Sequence, residues 1–253
     1  DSTGDWSSTC ALPISRGLGL TEEGQAYLPV VQDAITRLAV GTNEIFGQHK
    51  RRPIKVRGSL AFFVHWLAPK LVDFRQAHPH VYIRYISNIW VKELDGEDDM
   101  EIRWGHGQWP GLVSQRLTWD TLFPVCSPAL MARSPLKVAA DVAQHPLLHV
   151  LGYEEGWGYW LNMVGADTVD SSTGMQFDTL ICTLRMAELG QGIALARSSM
   201  VDEMLQDGRL VEPFAQRIEA SESFYLVRGS GADQHPDAVM FSTWLVEQAH
   251  RYK

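Results

Sequence analysis

Between residues 54 and 251 the apolar positions switch repeatedly from a period of two to a period near 3.6, and this alternation restricts the chain to an α/β body. Ile54–Ser59 reads as a strand, Trp66–Ala77 as a helix with Pro69 in its first turn, and Val81–Ile86 as a strand after the break at Pro79. A short helix near Val91–Leu94, a strand at Met100–Trp104 and a strand from Ser114 toward Val125 continue the pattern. After a crossing at Pro124–Pro128 a second cycle follows. It comprises strand Leu147–Val150, helix Gly156–Met163, strand Met175–Phe177, helix Thr179–Leu189, strand Ile193–Ala196, helix Ser199–Gln206 and strand Leu210–Pro213. Ser223–Val227 reads as a strand leading back, and Ala238–Arg251 as a closing helix. Two α/β lobes with largely parallel, helix-covered sheets, joined by two crossings, accommodate this order.

A separate helix precedes the body. Thr21 is placed to cap it, Glu22 and Glu23 suit its positive end, and apolar residues recur at Tyr27, Val31, Ala34, Leu38 and Ile45. Spacings of four, three, four and seven keep one seam, with Gly41 at the missing seam position, so the pattern is that of a two-stranded coiled coil with a kink expected at Pro29. Such a stripe serves either a second copy of the chain or its own domain. Residues 1–15 carry neither period. Gly4–Ser8 and Thr9–Ser15 resemble translated adapter sequence in two frames, so a non-native segment is expected there.

At 253 residues the chain can bury a core without metal or disulfide support. Cys10, Cys126 and Cys182 are odd in number and widely spaced, which argues against a disulfide framework or zinc site and favours a reducing, cytoplasmic setting. No apolar run reaches bilayer length. A net charge of −8 excludes phosphate gripping over the whole surface, so any DNA contact is local. The densest basic stretch, His49–Arg57, reads as a solvated linker between helix and body.

Motifs for catalysis are missing. Gly105–Gly111 has the wrong glycine spacing for a dinucleotide loop and Pro110 blocks the helix that should follow; no P-loop, HExxH or GxSxG occurs. His78 with His80, and His145 with His149, suit surface or core packing better than metal, and no metal ligand is nominated. Trp157, Tyr159 and Trp160 read as packing at a helix start. The acidic group Asp95, Glu97, Asp98, Asp99 and Glu101 lacks calcium-loop spacing. The expectation is therefore no enzyme and no cofactor.

Several strings occur in one order: Leu20–Tyr27, Trp66–Leu71, Phe74–Pro79, Ile102–Leu112, Phe123–Pro128, Gly190–Leu195 and Gly208–Val211. Together they resemble LysR-type transcriptional regulators, in the branch of glycine-cleavage and β-lactamase regulators, over roughly residues 16–250. The resemblance implies a linker helix ahead of a two-lobe effector domain of the type II periplasmic-binding-protein fold. Residues 16–50 would hold the end of a winged helix-turn-helix plus the dimerisation helix, whose seam is Tyr27, Val31, Ala34, Leu38 and Ile45. Residues 51–253 would form the effector domain, with lobe I about 54–124 and 224–253 and lobe II about 125–223. Promoter DNA would be read by a winged helix-turn-helix largely absent from this chain, a small-molecule effector would enter the cleft, and the protein would be a cytoplasmic homodimer or homotetramer with no membrane contact. A solute-binding protein of the same fold is the alternative.

Carried onto this sequence, the cleft residues in lobe I are Ser59, Phe62, Phe63, Val64, Ser87, Asn88, Arg103 and Gly105, and in lobe II Tyr153 and Thr179. Ligands of open α/β sheets gather at strand carboxyl ends near helix N-termini. Thr179 suits either a plain N-cap or a ligand contact, and Arg103 either a carboxylate clamp or a structural pair with Asp99 or Glu101. Phe62, Phe63 and Val64 stand where the family commonly offers a hydroxyl, implying an effector with an apolar or aromatic part.

Overall fold

The computed structural model describes residues 11–14, 17–46, 52–87, 98–229 and 235–251. Asn88 and the expected helix at Val91–Leu94 lie outside them. The chain divides into Asp1–Arg52 and Pro53–Lys253.

In the first unit, β1 (Ala11–Ile14) pairs antiparallel with β2 (Gly17–Leu20), and α1 (Glu22–Phe46) follows. Residues 11–14 thus pair as a strand although residues 1–15 carry no strand period. Thr21 caps α1 as expected: its hydroxyl accepts from the Gly24 amide at 3.0 Å. The helix runs through Pro29, which withholds one backbone donor. Tyr27 is 58% and Leu38 70% exposed, while Val31 is half-buried.

The second unit has two five-stranded sheets. Lobe I uses β3 (Ile54–Gly58), β4 (Ile83–Ser87), β5 (Met100–Gly105) and β6 (Leu112–Arg116); lobe II uses β7 (Thr121–Val125), β8 (Leu147–Val150), β9 (Met175–Phe177), β10 (Ile193–Arg197) and β11 (Ile218–Glu219). The returning strand β12 (Ser223–Gly229) enters lobe I between β5 and β6, antiparallel to both, giving the order β4-β3-β5-β12-β6. Lobe II has the order β11-β7-β10-β8-β9, with β8 parallel to β9 and β10, and β7 antiparallel to β10. Each sheet thus mixes directions.

Two expected strands change. The run from Ser114 toward Val125 is two strands in different sheets, and the first crossing falls at 117–120, ahead of β7. Leu210–Pro213 reduces to one bridge between Val211 and Cys126, because Pro213 has no N–H to extend a ladder.

Helix α2 (Leu60–Phe62), a π-helical turn at Phe63–Leu67 and α3 (Ala68–Ala77) follow without a break, so this helix starts before the expected Trp66. Lobe II carries α4 (Pro128–Arg133), α5 (Trp157–Met163), α6 (Leu180–Glu188) and α7 (Ser198–Gln206), and α8 (Pro236–Arg251) closes lobe I. One core cluster spans both lobes: Phe62, Trp66 and Leu67 belong to it with Leu184, Ala196, Met200 and Val201. A second, around Trp157 and Trp160, lies within lobe II. Their indole N–H groups donate to the Leu148 and Leu122 carbonyls, which confirms the packing role expected of both.

The crossings are stitched together. Leu117 N–H donates to the Phe224 carbonyl at 2.8 Å and Ala220 N–H to the Asp120 carbonyl at 3.0 Å. Asp120 also accepts from the Ser199 amide at 2.8 Å, tying the first crossing to the start of α7. Among the described residues no helix is long and apolar enough to cross a membrane.

Candidate functional site

A cleft of about 440 Å³ opens between the lobes at the carboxyl ends of β3, β5, β8 and β9. Lobe I contributes Ser59–Ala61, Glu101–Trp104, Trp109 and Phe224; lobe II contributes Val150–Tyr153 and Asp178–Leu180. This volume fits a small organic molecule.

The strand that ends in Gly105 builds much of the wall. Alternation along β5 sends Glu101 and Arg103 to one side, where Arg103 Nε and Nη2 both lie 2.8 Å from Glu101 Oε2. Glu101 is buried, so the pair holds the guanidinium in place. Glu101 does not engage Nη1, and the flat face lies 5.8 Å from the Trp109 ring centroid. Of the two readings open for Arg103, the structural pair is present, and it leaves donors over for a ligand.

Two helix starts face the cleft. Ser59 Oγ accepts from the Phe62 amide at 3.0 Å, and the Ser59 carbonyl accepts from the Tyr85 hydroxyl at 2.9 Å. Thr179 caps α6, but its hydroxyl lies 3.4 Å from the Ile181 amide, a long bond that leaves it capacity for another partner. Both helix ends carry partial positive charge toward the same space.

Behind this wall lies a charged cluster. Arg197, at the end of β10, is 1% exposed; its guanidinium is 3.9 Å from the Trp104 ring centroid and 4.7 Å from that of Tyr153. Its Nη1 meets Glu155 at 3.3 Å and its Nη2 meets Glu222 at 3.6 Å, while Glu155 also accepts from the Ser221 amide at 2.7 Å. Arg197 thereby joins lobe II to a lobe I tryptophan and to the returning crossing. Burial pushes the Tyr153 hydroxyl up to about 12 despite the opposing Arg197 charge, so it stays a hydrogen-bond donor at neutral pH. Burial likewise raises Glu222, with Arg197 opposing and Glu155 reinforcing.

Of the expected cleft residues, Ser59, Arg103, Tyr153 and Thr179 come together here. Gly105 adjoins the wall with φ +146°, and Ser87 is exposed at the end of β4, outside the lining. The Phe62–Val64 string does not line the cleft. Phe62 is fully buried, with its ring 4.8 Å from Trp66; Phe63 packs on Tyr85; Val64 turns outward. The helical twist separates three neighbours that a loop would have presented together. The aromatic lining comes instead from Trp104, Trp109, Tyr153 and Phe224. Trp104 and Trp109 stand in the Ile102–Leu112 string; Glu155, Arg197 and Glu222 carried no local signal.

Of the acidic group, Asp98, Asp99 and Glu101 lie among the described residues. Asp98 forms a salt bridge with Arg57 at 2.6 Å and Asp99 accepts from the Lys55 amide at 2.8 Å, so the basic run extends into the sheet and is partly neutralised there.

Residues 47–250 match the family described as the LysR substrate binding domain. The glycine cleavage system transcriptional activator of Escherichia coli (strain K12) is 32% identical over 238 residues, spanning 93% of this chain and 77% of that protein. The HTH-type transcriptional activator AmpR of Enterobacter cloacae is 34% identical over 240 residues, spanning 93% of this chain and 80% of that one. The effector domain of the transcriptional regulator AmpR of Pseudomonas aeruginosa superposes with a TM-score of 0.70 at 29% identity, covering 79% of this chain and 97% of that structure.

Proposed function

Because the chain belongs to the LysR-type family of transcriptional regulators, we propose that its cleft binds a small carboxylate bearing an apolar or aromatic part, and that occupancy changes promoter engagement. Residues 53–253 have the type II periplasmic-binding-protein fold of LysR effector domains, and the relatives favour a regulator over a solute-binding protein. They are regulators and not enzymes, in keeping with a binding role and no turnover.

The observation that carries the effector class is the juxtaposition of Arg103 and the Thr179 helix start with Trp104, Trp109, Tyr153 and Phe224 around one cleft. The cation, the hydroxyls and the amides suit a carboxylate; the rings suit a flat or branched apolar group. Binding can shift the lobes only by the difference in its affinity for their arrangements. Reversing a 1:99 ratio to 99:1 needs about 5.5 kcal/mol of such preference, so a partial shift is the expected response.

Apolar seam residues Tyr27, Val31, Ala34 and Leu38, with Ile45 beyond the described side chains, would pair two chains through α1 and set the spacing of their DNA-reading heads. Family membership supports promoter DNA as the partner and the cytoplasm as the setting.

Calorimetry with aromatic and branched-chain amino or hydroxy acids tests the effector class. Arg103→Ala should weaken the binder by roughly ten- to a hundredfold, the range of a lost charge-assisted hydrogen bond. Binding confined to small hydrophilic anions, or unchanged by this substitution, would overturn the reading.

A further inference from the structure

We propose that the protein has a second ligand site, for a divalent transition-metal ion, at the rim of the cleft between His106, Glu154 and Glu222. One donor atom from each lies within 4.8 Å of the others, and His106 Nε2 is 3.6 Å from Glu154 Oε2. The three come from three places: His106 from the loop after β5 in lobe I, Glu154 from the loop after β8 in lobe II, and Glu222 from the returning crossing. An imidazole with two carboxylates suits Zn²⁺ and its first-row neighbours better than Ca²⁺ or Mg²⁺, which prefer oxygen alone.

Glu222 supplies an independent reason. It is only 4% exposed, yet among the described residues its Oε2 makes no hydrogen bond of ordinary geometry: Arg197 Nη2 stands 3.6 Å away, and the Trp104 side chain is the other polar neighbour. A buried carboxylate oxygen left this way is costly unless a cation or a proton completes it. The surrounding charge is also unbalanced: Arg197 meets both Glu155 and Glu222, and Glu154 adds a third carboxylate beside Glu222. A dication would offset that excess.

The geometry needs little change. Four-coordinate zinc with bonds near 2.0–2.2 Å places ligand atoms about 3.4 Å apart, so the spread of the three donors must shrink by roughly 1.4 Å. His106 and Glu154 can supply that movement, since their side chains are 55% and 77% exposed. Gly107, at φ +83°, lets the His106 loop lie against Tyr225, where a Cβ would approach the ring to 2.5 Å. The bound ion would fasten lobe I to lobe II at the rim and leave one position for water.

The test is a calorimetric titration of Zn²⁺ into the full, chelator-treated chain, with Mg²⁺ alongside. One Zn²⁺ should bind per chain. Affinity should fall at least about tenfold in His106→Ala and in Glu154→Gln, and should be unchanged in His80→Ala. Glu222→Gln should also lose the ion, but Glu222 contacts Arg197, so the two exposed variants decide the matter if it folds poorly. No heat up to millimolar Zn²⁺, equal affinity for Mg²⁺, or full binding by both exposed variants would overturn the proposal. Arg103→Ala should leave zinc binding intact, which separates this outcome from failure of the effector assignment.

Discussion

Arg197 is the side chain on which the cleft wall turns. A guanidinium is weakly hydrated and flat, so it fits between Trp104 and Tyr153 while its edge meets Glu155 and Glu222. Arg197→Ala would strand two buried carboxylates, and a loss of about 3–5 kcal/mol is expected in urea unfolding. Arg197→Lys should recover only part of it, because a lysine has no plane to stack. A loss below about 1 kcal/mol for the alanine variant would contradict this picture. The Glu101–Arg103 pair was legible in the sequence, since residues two apart on a strand share a side. Arg197 was not, because its partners lie 42 residues before it, at Glu155, and 25 after it, at Glu222. The zinc ligands show the same limit: His106, Glu154 and Glu222 are 48 and 68 positions apart, so no motif spacing announces them.

At the level of elements, α1 is the piece whose apolar face has no partner within its own unit. Leu28, Val30 and Ile35 are exposed beside the seam and widen it beyond a strict two-residue-per-heptad stripe. Val31→Asp puts charge into that face and should shift the sedimentation profile toward monomer. An unchanged profile would remove α1 as the pairing element. The sequence identified this helix and its Thr21 cap because both signals are local. It misjudged the stretch from Ser114 to Val125 because the residues between β6 and β7 are as apolar and buried as strand residues: Leu117 is 1% exposed and Thr118 is 2%. Hydrogen bonds such as Leu117–Phe224 and Ala220–Asp120 mark them as a crossing. The Phe62–Val64 string misled for the opposite reason, a helix that begins at Leu60, six residues before the expected Trp66.

For residues 53–253 as a whole, the cluster that joins Phe62 and Trp66 to Met200 and Val201 makes the lobes share part of one core. Neither lobe can lose its packing without exposing apolar surface of the other. Denaturant unfolding followed by tryptophan fluorescence and by near-ultraviolet circular dichroism should therefore give one coincident transition. Two separated transitions would show that the lobes melt independently. Alternating periods revealed two lobes, but strand order depends on distant pairing and lay beyond their reach. The insertion of β12 between β5 and β6 has a further consequence for synthesis. Arg116 and its partner Tyr225 are 109 positions apart, so β6 leaves the ribosome long before the neighbour that holds it. All of lobe II is made in that interval. The first sheet stays gapped until then, and β6 waits as an open edge at which nascent chains can stick to one another or to a chaperone. The sensing chamber can thus exist only in molecules whose translation has passed residue 229.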